Sequence, residues 1–182
     1  DLQHFIETVA ARGCGIFIVH ARKAWLKGLS PKENREVPPL NYQRVYQLKR
    51  DFPVLTILIN GGIQSLAEVR THLVHTDGVM LGRTAYHEPY RLAELEHALF
   101  GTPLPDRMAL IRQMREYTER HLAEGGKLNH ISRHLLGLFQ GLPGARGWRR
   151  HLSENAHRDN ADWGVVERSL APIREPVRVP AA

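Results

Sequence analysis

The chain has 182 residues, 42% of them hydrophobic, which is enough for one domain with a real core, or parts of two, and excludes wholesale disorder. No apolar run is long enough to span a bilayer, and no stretch has the basic start, apolar middle and cleavage site of a secretory signal. A single cysteine, Cys14, rules out an intrachain disulfide framework and fits a reducing, cytoplasmic setting, while a formal net charge of +6 favours a polyanionic partner. The chain starts at Asp1 without an initiator methionine and enters a repeating pattern partway through, so it is expected to be the C-terminal piece of a longer protein.

Leu2, Phe5, Ile6 and Val9 recur at helical spacing, which predicts the end of a surface helix that Gly13-Cys14-Gly15 breaks. Ile16 to Val19 then predicts a short buried strand ending at His20. Cys14 lies in the approach to that strand and has no activating partner nearby, so it is expected to be a buried or half-buried structural thiol. From His20 to Arg35 runs an irregular loop, longer than the usual βα connection. It carries cations at Arg22, Lys23, Lys27, Lys32 and Arg35 and an aromatic at Trp25, opposed only by Glu33. Such a loop is either a solvated face or a clamp for a phosphate-bearing ligand or an RNA backbone. Pro38-Pro39 closes it, and a helix follows with Tyr42, Val45, Tyr46 and Lys49 along one side, ending at Asp51-Phe52-Pro53.

The run Thr56 to Ile59 predicts a strand buried on both faces, as in a parallel sheet covered by helices. Asn60-Gly61-Gly62 follows as a turn, and Ser65-Leu66-Ala67-Glu68 as a capping box that starts a helix. A glycine turn leading into a capped helix presents backbone N–H groups suited to a phosphate, or is simply a tight turn. The helix is expected to send Leu66, Val69 and Leu73 inward, and Asp77 to Leu81 predicts a third strand ending at Gly82-Arg83. Three successive strand–loop–helix units imply a parallel α/β sheet, whose ligands sit at the carboxyl ends of the strands. His20, Asn60-Gly61-Gly62 and Gly82-Arg83 all occupy that edge. Two glycine-bearing turns on adjacent strands resemble the phosphate site made by the last two loops of a (β/α)8 barrel.

Past Tyr86-His87-Glu88-Pro89 a helix is predicted through Leu92, Leu95 and Leu99, and the turn-rich Gly101-Thr102-Pro103-Leu104-Pro105 reads as a domain boundary. The expected organisation is residues 1–101, 102–160 and a disordered tail over 161–182 that includes Pro172, Pro176 and Pro180. In the middle part Leu110, Ile111, Met114 and Tyr117 make one helical stripe, and Leu128, Ile131, Leu135 and Phe139 a second after Gly125-Gly126. A third helix is predicted from Ala145 to Asn155. Arg146, Trp148, Arg149, Arg150 and His151 cluster on it, which suits phosphate contact with base stacking or, alternatively, a solvated basic face with Trp148 packed inside.

The loop HARKAWLKGLSPKENR from His20 to Arg35, then Ile59-Asn60-Gly61-Gly62-Ile63 and the stretch Gly78 to Tyr86, closely resembles the tRNA-dihydrouridine synthases. Ser30 to Arg35 and Gly141 to Arg146 look like the A-type bacterial branch, and the resemblance extends to about Arg158. It implies the C-terminal part of a (β/α)8 TIM barrel holding FMN (residues 1–101), followed by an all-helical tRNA-binding domain (102–160). It implies NADPH as reductant and reduction of a D-loop uridine, at position 20/20a, to 5,6-dihydrouridine. His20 would face the flavin or its phosphate, Asn60, Gly61 and Gly62 would cradle that phosphate, and Gly82 and Arg83 would complete the site. Lys32, Arg35, Arg146 and Arg149 would contact tRNA. The family's catalytic cysteine and its flavin-contacting lysine and glutamine belong to the first part of the barrel; Cys14 matches no catalytic position. The expectation is an FMN-dependent oxidoreductase that is a cytoplasmic monomer at full length, uses no metal, and is inactive and poorly folded as this piece alone. Two other classes remain: a truncation serving only as a tRNA-binding module, and a small-molecule FMN oxidoreductase of the same barrel fold.

Overall fold

The computed structural model describes residues 1–25 and 27–174. Two compact units divide it, Asp1–Gly82 and Arg83–Ala182.

In the first unit helix α1 (Leu2–Ala10) is capped by the Asp1 side chain, which accepts from the Gln3 amide. Strand β1 (Ile16–His20), helix α2 (Tyr42–Asp51), strand β2 (Thr56–Asn60), helix α3 (Leu66–Leu73) and strand β3 (Gly78–Met80) follow. The sheet order is β1-β2-β3 and both pairings are parallel. The register sets His20 opposite Asn60 and Asn60 opposite Met80, so the three carboxyl ends finish level.

The expectation of strands buried on both faces is corrected. Side chains alternate across a strand, and the structure buries only one set: Phe17, Val19, Ile57 and Ile59 are covered, while Ile16 and Ile18 are 64% and 58% exposed. The covered face is the helix side, where α2 supplies the buried Val45 and Leu48 and α3 the buried Val69. The third expected inward residue of α3, Leu73, also differs from expectation. His72 is buried and Leu73 is exposed; helical spacing from Val69 admits either, and His72 finds a buried hydrogen-bond partner. His72 Nδ1 shares a 2.7 Å hydrogen bond with the Tyr46 hydroxyl, which satisfies the buried imidazole. Cys14 is exposed rather than buried, its thiol donating at 3.4 Å to the Ile16 carbonyl. At the amino edge of the sheet, Asp77 accepts from the Ile57 amide and pairs with Lys49, both at 2.8 Å.

In the second unit the described regular elements are all helices: α4 (Arg83–His87), α5 (Tyr90–Phe100), α6 (Arg107–Ala123), α7 (Leu128–Ser132), α8 (Ala145–Asn155) and α9 (Trp163–Ser169). Their core gathers Ile111, Leu128, Phe139, Trp148, Leu152 and Val166. The Phe139 and Trp148 rings meet edge to face at 5.0 Å, and the Trp148 indole donates to the Leu135 carbonyl. Arg107 stacks 3.8 Å from the Tyr90 ring centre and donates to the Leu138 and Gln140 carbonyls at 3.0 and 3.1 Å. Through that one side chain α5, α6 and the connection before α8 are joined.

Three expectations are corrected here. Tyr117 is 51% exposed, and Thr118 takes the inward position, its hydroxyl donating to the Met114 carbonyl. The stripe from Leu128 to Phe139 stays helical only to Ser132 and continues as successive turns that still bury Phe139. Gly137 sits in those turns where a Cβ would collide with the His87 carbonyl. Lastly, residues 161–174 are folded, not disordered. Asp162 caps α9, Trp163, Val165 and Val166 enter the core, and the Arg174 amide donates to the Pro143 carbonyl at 3.1 Å. Proline content suggested a loose tail, but the apolar spacing of those residues supplies enough buried surface to order it. Pro176 and Pro180 lie outside the described residues. Among the described residues no helix is long and apolar enough to cross a membrane.

Candidate functional site at the carboxyl edge of the sheet

Where β2 ends, Gly61 and Gly62 have φ of 130° and 71°. Only glycine adopts such values without strain. A side chain would also crowd Leu40, since a Cβ at either position would lie 2.8 Å from one of its methyls and Leu40 would have to shift. The Tyr42 hydroxyl donates to the Gly61 carbonyl at 2.8 Å. In a trans peptide the C=O and the next N–H point in opposite directions, so this bond fixes the Gly62 N–H facing away from Tyr42. The His20 ring lies beside the turn, its Cε1 3.4 Å from where a Gly61 Cβ would stand. Backbone bonds then stitch the loop ends to the turn: the Ala21 amide donates to the Asn60 carbonyl and the Asn41 amide to the Ala21 carbonyl, both at 2.7 Å. His20, Asn60, Gly61 and Gly62 are therefore gathered as expected from the sequence. Gly82 and Arg83 are both exposed at the end of β3.

The capped helix start narrows what the turn can offer. Glu68 accepts from the Gln64 and Ser65 amides and from the Ser65 hydroxyl at 3.0, 2.8 and 2.8 Å. The Ser65 side chain above all, then the Gln64 amide, holds this carboxyl below its ordinary range. The Gln64 and Ser65 amides just before α3 thus already serve a protein carboxylate, whose charge opposes a second anion there.

The basic loop is braced from within. Arg22 donates to the Glu36 carbonyl at 3.1 Å and to the Pro38 carbonyl. Asn34 bridges the loop: its Oδ1 accepts from the Trp25 amide at 2.7 Å and its Nδ2 donates to the Trp25 carbonyl at 2.9 Å. Glu33, the loop's single acid, begins a short 3-10 turn (Glu33–Arg35) and accepts from the Ser30 amide at 2.7 Å, while Ser30 Oγ accepts from the Glu33 amide. The Ser30 hydrogen bonds lower the Glu33 pKa. Lys23, Lys27, Lys32 and Arg35 are all exposed on this frame. Asn34, Leu40 and Tyr42 shape the site and were not singled out for it in the sequence. Ser30-x-x-Glu33 repeats the spacing of Ser65-x-x-Glu68 and was the available signal for the brace; nothing in the sequence ties Leu40 to Gly61.

On α8, Arg146 and Arg150 are exposed, and Arg149 is half-buried and donates to Gln140 Oε1 at 2.7 Å. Trp148 is fully buried, which overturns base stacking by this residue: helical spacing places Ala145, Trp148 and Leu152 on the inner face. Tyr86 is an exposed aromatic of the second unit, with the His87 and His134 rings edge-on at 5.4 Å each. No group of three or more His, Cys, Asp or Glu side chains among the described residues is arranged to hold a metal ion.

Sequence comparison matches residues 1–173 to the family described as Dihydrouridine synthase (Dus). The chain is 63% identical over 175 residues to the tRNA-dihydrouridine(20/20a) synthase of Shewanella oneidensis, covering 95% of the chain and 52% of that protein. It is 59% identical over 175 residues to the protein of that name from Vibrio cholerae, covering 94% and 54%. A relative of the same name from Escherichia coli is 60% identical over 174 residues, covering 94% and 50%. The chain therefore spans about half the length of these relatives. It belongs to the dihydrouridine synthase family.

Proposed function

We propose that the chain is the C-terminal portion of a tRNA-dihydrouridine synthase, an FMN-dependent, NADPH-driven oxidoreductase that reduces a D-loop uridine at position 20/20a to 5,6-dihydrouridine. The observation that carries this reading is the carboxyl edge of the sheet, where a doubly constrained glycine turn, His20 and a braced cationic loop meet. The edge suits a flavin phosphate: the Gly62 N–H has a fixed direction, the turn carries no side chains at Gly61 and Gly62, and cations outnumber the one acid between His20 and Arg35, which Ser30 engages. In this reading Asn60, Gly61 and Gly62 would hold the phosphate of FMN with Gly82 and Arg83, and His20 would face the flavin or its phosphate. When bound, FMN supplies hydride transfer to the uridine. The residues of this chain bind, orient and shield, while a proton donor comes from outside it. Residues 1–101 would close the barrel and 102–160 would form the helical tRNA-binding domain.

Lys32, Arg35, Arg146 and Arg149 would neutralise tRNA phosphates. That role fixes orientation and makes binding salt-sensitive. The relatives' printed names point to the same substrate. This portion alone would be inactive, because one sheet face stays open; the full-length protein would act as a monomer in the cytoplasm. The test is to purify the full-length protein, measure bound FMN, and follow NADPH oxidation with and without unmodified tRNA. Flavin-loaded protein whose oxidation of NADPH leads to dihydrouridine in tRNA supports the reading. Flavin turnover with a small molecule and none with tRNA would replace it.

A further inference from the structure

We infer that Trp25 is a stacking platform for an unpaired RNA base and that Asn34 is its positioning residue; this rests on the tRNA reading above and adds a contact to it. The chain has three tryptophans. Trp148 and Trp163 are 0% and 5% exposed core residues, whereas Trp25 is 45% exposed. An indole left in water on a loop gives up the burial that normally justifies its size. Its backbone is nevertheless fixed on both sides by one side chain, since Asn34 accepts from the Trp25 amide and donates to the Trp25 carbonyl at 2.7 and 2.9 Å. Asn34 Nδ2 also reaches the Leu29 carbonyl at 3.4 Å. A loop ordered in advance loses less entropy when a partner arrives.

The surroundings select the partner. Lys23, Lys27, Lys32 and Arg35 are exposed on the same loop, and the carboxylate of Glu33, the one acid between His20 and Arg35, is engaged by the Ser30 amide. An aromatic face framed by four exposed cations, which outnumber the exposed acids Glu33 and Glu36, fits a base on the ring and phosphates on the lysines, which is how single-stranded nucleic acid is held without reading its sequence. An acidic protein segment would satisfy the cations but leave the ring unused.

Trp25→Phe makes the test direct, because it separates the signal of this indole from that of every other tryptophan in the protein. In the full-length protein, acrylamide quenching and the emission spectrum are recorded with and without unmodified tRNA, for wild type, Trp25→Phe, Trp25→Ala and Asn34→Ala. Flavin content and circular dichroism are checked for each. The expected result is that tRNA protects the accessible indole of the wild type and that Trp25→Phe abolishes this signal while keeping most of the affinity. Trp25→Ala should weaken tRNA binding about tenfold, the size of one base–aromatic stack, with the salt dependence of binding unchanged because no phosphate contact is lost. Asn34→Ala should keep flavin and fold, raise the mobility of Trp25 in time-resolved anisotropy, and lose part of the affinity. Equal tRNA affinity of wild type and Trp25→Ala, with Trp25 unprotected, overturns the inference and leaves the tRNA reading standing. A wild type that binds no tRNA overturns both.

Discussion

Gly61 is the residue on which most of the candidate site turns. A methyl there meets Leu40 at 2.8 Å and adopts a φ of 130°, so Gly61→Ala must displace Leu40 or break the turn. The full-length variant is expected to lose most of its bound flavin, measured by absorbance of the released cofactor, and to unfold about 1–3 kcal/mol more easily. Tyr42→Phe is the milder companion. It removes the bond to the Gly61 carbonyl and frees the Gly62 amide, costing about 1 kcal/mol and weakening flavin retention without abolishing it. Flavin occupancy unchanged in both variants would remove the turn from the site. His72 gives a pH prediction. Burial, the main cause, holds its pKa below the ordinary 6.5, with Glu68 opposing and His75 adding. The folded state thus favours the neutral ring, so its contribution is complete above the unfolded value of 6.5 and falls as acid protonates the unfolded chain first. Denaturant melts of the full-length protein should lose stability from pH 7 downwards, and His72→Phe should flatten that part of the curve. Asp77, lowered chiefly by Lys49, acts in the same direction at lower pH, below its ordinary 3.8.

Among the elements, α8 and α9 depend on one another. Trp148 fills the centre of the second unit, and α9 supplies Trp163 and Val166 to the same cluster. Trp148→Ala should cost about 3–5 kcal/mol, read as a shift in the denaturation midpoint of the helical signal, with flavin content largely retained. Arg107→Ala should cost about 2–3 kcal/mol, since it removes a guanidinium from the Tyr90 ring and leaves two carbonyls without their donor. A variant as stable as wild type would show that the joint formed by Arg107 is dispensable. Much of this level was legible in the sequence. The capping box at Ser65 and Glu68, the strand end at His20, and the helix Ala145–Asn155 all follow from local signals and are found, while the second strand runs one residue past Ile59 to Asn60. What was not legible depends on partners distant in sequence. His72 displaced Leu73 because Tyr46 offers it a hydrogen bond, and α9 ordered a proline-bearing tail because Phe139 and Trp148 gave it a surface. Nor could periodicity tell whether a continuous apolar strand has both faces covered; Ile16 and Ile18 face outwards here.

For the whole molecule, the open sheet face and the half-length match to the relatives point the same way. The edge at His20, Asn60 and Gly61-Gly62 is built and braced, yet one side of the strands that carry it is exposed. The flavin site and catalysis are therefore expected only from the full-length protein. The basic loop is expected to act on RNA: replacing Lys32 and Arg35 with alanine should weaken tRNA binding and reduce the salt dependence by about one unit per lost phosphate contact. An unchanged slope would mean that those two residues do not touch the backbone. The most direct measurement is nucleotide-resolved mapping of dihydrouridine in unmodified tRNA after incubation with the full-length, flavin-loaded protein and NADPH. Dihydrouridine confined to positions 20 and 20a, as the relatives' names state for them, is the expected result. A flavin-loaded protein that oxidises NADPH and leaves every uridine intact would contradict it.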